Sequence, residues 1–226
     1  MARAGTCIGR VALVMFVTVA LHAPRETALV ASSVAPGREL ALQLTSTQAL
    51  PPRSVSALMT EATSIWKESR VALHWLSTGA ETRPDVLRVL VKAGLVPSGE
   101  LSPWTVGELV RMEDSRALAI ASITGARRIV EQSRFKVDDP PAVSERRLGV
   151  VLGRAIAHEI GHYLLQTNTH AAQGLMRARI DAREFADLRN GSFRLDASSQ
   201  SHLERLTTRG AISLDPPSVL LSVPQD

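Results

Sequence analysis

Between residues 144 and 164 the side chains Leu148, Val151, Leu152, Ala155, Ile156, Ile160 and Leu164 recur every three or four positions. That period belongs to an α-helix and to no strand, and it persists for several turns. A long amphipathic helix is therefore the fixed element on which the rest of the chain must pack. Ser144 is the expected N-cap, with Glu145 in the first turn.

Inside this helix lies the pentapeptide His158-Glu159-Ile160-Gly161-His162. An α-helix advances about 100° per residue, so His158 and His162 share a face and can address one ion, while Glu159 can reach a water held there. Two imidazoles and a neighbouring carboxylate at this spacing are the ligand and base set of a zinc hydrolase. Catalytic zinc usually takes three protein ligands and keeps a fourth position for water. Of the other histidines, His22 falls near the N-terminus, His74 sits between Leu73 and Trp75 in a strand-like run, and His202 lies in a late polar helix. His170 is the best third ligand, because it follows the polar residues 166–169. There Asn168 can adopt the left-handed conformation that a chain reversal needs. Asp181 and Glu184 are next in line. Gly161, lacking a side chain, allows a neighbouring element to approach the helix, and Gly174-Leu175-Met176 reads as a turn.

Residues 148–176 resemble the metzincins among the zinc-dependent metallopeptidases, which carry two His and a Glu on a helix, a later His and a Met-containing turn. The resemblance implies that His158, His162 and His170 hold one catalytic zinc, that Glu159 is the general base and that Met176 belongs to the turn. It departs from the usual pattern in one respect. Where that pattern places Gly and His three and six residues after the second His, this chain has Leu165 and Asn168, so His170 comes two residues late. No Tyr follows Met176, and the single Tyr, Tyr163, lies in the helix. The reaction implied is peptide-bond hydrolysis on a peptide or protein substrate. A non-catalytic binding or structural protein of the same fold, or a zinc amidase acting on non-protein amides, are the alternatives. Glu159 argues against a purely structural site, which has no use for a carboxylate beside a ligand.

The rest of the chain sets the frame. Arg3 and Arg10 precede an apolar run at residues 11–21, which reads as a signal peptide over residues 1–23 and implies a secreted or periplasmic protein. The run is about half the length of a transmembrane helix, so no stable span is expected after cleavage. Cys7, the only cysteine, would leave with the signal, which excludes disulfides and thiolate catalysis. A formal charge of +4 and a pI near 10.0 invite a nucleic-acid reading. The excess is small, however, the arginines are scattered, and a chain with three Lys and one Tyr has few groups titrating at alkaline pH. Arg177 and Arg179 are read as solvated, and Trp66, Trp75 and Trp104 as core or shielding residues.

Residues 24–51 read as a linker, 52–210 as the catalytic domain and 211–226 as a tail. Within the domain a helix is expected at 54–70, strands at 71–76, 86–91 and 117–123, and a terminal helix at 197–206. Residues 94–107 show little periodicity, and 127–135 would return as an antiparallel partner after a Thr124-Gly125 turn. The fold expected is α+β and zincin-like: a small mixed sheet packed on an N-terminal helix and the long active-site helix, with a C-terminal helix. The strand at 117–123 is the one expected to pair with an extended peptide.

Overall fold

The computed structural model describes residues 38–77, 86–94, 105–112, 116–133, 139–189 and 191–209. The signal region, Trp104 and the tail lie outside the described residues. The elements are β1 (Arg38–Ser46), α1 (Pro52–Glu68), β2 (Val71–Leu76), β3 (Leu87–Lys92), β4 (Gly107–Arg111), β5 (Ala117–Ser122), α2 (Ile123–Gln132), α3 (Pro141–Leu164), α4 (Ala182–Ala186) and α5 (Ala197–Thr208). The strands form one mixed sheet in the order β2-β1-β3-β5-β4, parallel except for β4, which runs antiparallel to β5.

Alternate sheet positions, among them Leu40, Leu42, Val89, Val91, Ala119 and Ala121, are buried in one core with Leu58, Trp66, Val151, Ile156 and Ile160 of the helices. The period of two on the strands and of three to four on the helices meets in that layer. Helices α1 and α3 pack unusually close, because Gly149 and Gly153 offer no side chain. A Cβ at 149 would lie 2.7 Å from the Ala57 Cβ, and one at 153 would lie 2.7 Å from the Leu58 carbonyl oxygen. Ser54 Oγ donates to the Glu145 carbonyl at 2.8 Å and Trp66 Nε1 to that of Ala157 at 3.1 Å, fixing the register of the pair. Among the described residues no helix is long and apolar enough to cross a membrane.

Four sequence expectations need correction. The folded body starts before residue 52: β1, assigned to the linker, is an inner strand, with Leu40, Ala41 and Leu42 all buried. Of residues 127–135, expected to return as a strand, 127–132 are helical and 134–135 lie outside the described residues. Ser122 caps a helix by accepting the Gly125 N–H at 3.0 Å, and Ile123, Ala126 and Ile129 bury one helical face. Helix α3 begins at Pro141 rather than at Ser144, because proline at the first helical position already has the right φ and needs no hydrogen-bond partner. Finally, β5 lies between β3 and β4, so the edge of the sheet on that side is β4, which the sequence reading did not identify.

Candidate metal centre

The fold delivers the three histidines to one place. His158 and His162 lie on the buried side of α3, and the chain turns after Leu164 through Gln166, whose φ of 49° takes the left-handed role expected of Asn168. His170 then returns over the helix. One ring nitrogen from each of His158, His162 and His170 lies within 4.8 Å of the others. The rings of His158 and His170 stack at 5.3 Å, and His162 stands edge-on to both. His74, in contrast, faces Glu39 at 3.5 Å, and His202 Nε2 meets the Leu165 carbonyl at 3.1 Å.

The hydrogen bonds define which nitrogens are available. His158 Nδ1 lies 2.8 Å from the Leu175 carbonyl oxygen and His162 Nδ1 2.8 Å from that of Thr167. A carbonyl only accepts, so both Nδ1 atoms carry the proton and both Nε2 atoms carry lone pairs. Those two Nε2 atoms face each other at 3.0 Å. With no proton between them this contact is repulsive, and a cation shared with His170 resolves it. A donor set of three imidazoles suits zinc. Burial lowers the His158 pKa to about 4, helped by the neighbouring imidazoles, and burial likewise holds His162 below its ordinary value.

Glu159, next to His158 in α3, is buried, with its carboxyl against β4. Its pKa is raised to about 8, chiefly by burial and then by the Glu108 carboxylate. Gly107 makes the room: a Cβ there would collide with Glu159 Oε1 and lie 3.1 Å from its Cδ. Gly107→Ala should therefore displace the carboxyl. Its displacement is read as a changed Glu159 titration in carboxyl NMR of the metal-free variant.

Other residues have structural partners. Asp181 caps α4 by accepting the N–H of Arg183 at 2.8 Å. Glu184 pairs with Arg177 and accepts from Ser192 at 2.9 Å, so neither carboxylate joins the histidine group and Arg177 is not merely solvated. Met176 is buried on Gly161, where a Cβ would meet its Sδ and lie 3.0 Å from its Cε, as expected of a glycine that admits a neighbour. Trp66 is a core residue, and Trp75 Nε1 donates to Thr63 Oγ1 at 3.0 Å. The sequence reading missed Gly107, Glu108 and Arg111, whose Nη2 donates to the His162 carbonyl at 2.7 Å at the end of α3. Two adjacent apolar residues, Leu109 and Val110, give no alternation that would mark a five-residue strand.

A mixed sheet with α1 paired to α3, and a histidine cluster at the end of α3, is the arrangement of a zincin-like fold. No protein-family model and no curated protein sequence matches the chain. Among solved structures it is similar to archaemetzincin from Methanopyrus kandleri, at 14% identity and a TM-score of 0.51, over 78% of this chain and 99% of that one. It is also similar to metalloproteinase-II from Bacteroides fragilis, at 12% identity and a TM-score of 0.44, over 75% of this chain and 53% of that one. The first likeness identifies the fold as that of the archaemetzincin type.

Proposed function

We propose that this chain is an exported zinc-dependent metallopeptidase, with His158, His162 and His170 holding one catalytic ion and Glu159 as general base. The opposed Nε2 lone pairs of His158 and His162 carry the reading, because a shared cation satisfies both of them and the third imidazole together. The fold shared with archaemetzincin supports it. Zinc in this site supplies Lewis acidity and lowers the pKa of water toward neutrality.

The chain's own residues do the rest. The Leu175 and Thr167 carbonyls hold the imidazoles in the tautomer that presents Nε2. Glu159 takes the proton of the attacking water and returns it to the leaving amine. Strand β4 passes this carboxyl at Gly107, and its side away from β5 pairs with no other described strand. An extended peptide adding to that edge is held by main-chain hydrogen bonds next to the base. Export rests on the arginine-flanked apolar run at residues 11–21.

The test is digestion of a mixed peptide library by the purified mature protein. Cleavage that a chelator abolishes and added zinc restores is the expected outcome. A zinc-loaded protein that cuts no peptide would favour the non-catalytic reading, and one that releases amines only from non-peptide amides would favour the amidase.

A further inference from the structure

Two of the three imidazoles depend on one turn. The Leu175 carbonyl accepts from His158 Nδ1, while Ala171, next to His170, donates its N–H to the Met176 carbonyl at 2.8 Å and forms a β-bridge with Arg177. A shift of residues 174–177 would therefore rotate His158 and move His170 together. The turn lies outside any helix or strand of the sheet, so something else must fix it.

The Leu175 N–H donates to the Arg194 carbonyl at 2.7 Å, and two arginines brace the turn further. Arg177 donates Nε to the Gly174 carbonyl at 3.0 Å and both Nη groups to the Glu184 carboxylate, which ties the turn to α4. Helix α4 is in turn fastened by Arg154, only 1% exposed, whose Nη1 donates to the Glu184 and Phe185 carbonyls at 3.2 and 2.9 Å. Arg154 Nε meets Glu61 of α1 at 2.7 Å, and its guanidinium lies 4.2 Å from the Phe193 ring centre. It stands one helical turn before His158, so it prolongs the histidine stripe of α3. Each guanidinium is neutralised by its own carboxylate, and at least one further nitrogen of each holds a backbone carbonyl. Only a planar fork with several donors can do both.

We propose that the Arg177–Glu184 pair, anchored by the buried Arg154, is a positioning device that sets the orientation of His158 and the place of His170, and thereby the affinity for metal. The inference rests on the metal reading above. Zinc and cobalt(II) are titrated into wild type, Arg177→Met, Arg177→Lys and, as a remote control, Leu73→Ala at a buried position of β2. The His158 ring nitrogens are observed by NMR in the metal-free proteins. Arg177→Met should weaken zinc binding about 10- to 100-fold, the usual effect of removing an outer-sphere partner, and shift the cobalt(II) d–d bands. Arg177→Lys keeps the charge and the fold but loses the fork, and should move the same readouts, with the His158 Nδ1–H signature weakened. Leu73→Ala should lower thermal stability and leave zinc affinity as it was. A folded Arg177→Lys with wild-type zinc affinity and wild-type His158 nitrogens overturns the proposal, as does an equal loss of zinc in Leu73→Ala. Should wild type itself take no zinc, the metal reading fails, and the His158 nitrogen pattern still decides whether Arg177 positions that ring.

Discussion

Glu159→Gln should reduce peptide hydrolysis by about 10²- to 10⁴-fold, the range a positioned general base contributes, while one zinc per chain is retained. The variant keeps the shape of the side chain and its fit against Gly107, so neither the fold nor the three imidazoles should move. Loss of zinc together with activity would show that Glu159 holds the site together rather than acting as base. The same variant has a second readout in the metal-free protein. Burial raises the Glu159 pKa from 4.5 to about 8, so folding favours its protonated form. The stability associated with that carboxyl is fully present below pH 4.5 and is lost as pH rises through about 8. Gln carries no charge at any pH. Metal-free Glu159→Gln should therefore match wild type in acid and exceed it above pH 8 by on the order of a few kcal/mol in denaturant unfolding. His158 runs the other way. Its pKa, lowered to about 4, gives stability that is present above 6.5 and lost as pH falls toward 4, equally in both proteins. The difference between them isolates Glu159. A bound cation beside the carboxyl would favour its charged form, so the alkaline gap should close when zinc is added.

What the sequence revealed follows the strength of each local pattern. Helix α3 was legible because seven apolar positions keep one period, and its histidines followed at once from the spacing of four. β3, at residues 87–92, was legible from its branched apolar run. β1 was not, although Leu40, Leu42 and Leu44 alternate, because Gly37 and the Pro51-Pro52 pair on either side read as linker punctuation. Residues 123–132 were misread because Thr124-Gly125 suits a turn as well as a capped helix, and the choice is made by Ser122 and by packing against α3. Least legible of all was β4. Its five residues are only partly buried, and their importance comes from lying opposite Glu159, a contact between positions more than fifty residues apart that no local period encodes.

His170→Ala should weaken zinc binding as severely as His158→Ala or His162→Ala. Zinc held by four ligands gains about 10–16 kcal/mol, so each ligand is worth roughly 3–4 kcal/mol, or two to three orders of magnitude in Kd. The two-residue delay of His170 relative to the usual pattern makes this the informative substitution. The delay is absorbed in the loop: Gln166 takes the left-handed turn, and the pairing of Ala171 with Met176 and Arg177 brings the ring back to 5.3 Å from that of His158. Unlike its partners, His170 is exposed, so its removal leaves no cavity and should not lower the stability of the metal-free protein. A loss of zinc in this variant thus reports ligation rather than unfolding. Wild-type affinity in His170→Ala would take it out of the ligand set. The third position would then have to come from Asp181 or Glu184, at the cost of the α4 cap or of the Arg177 pair.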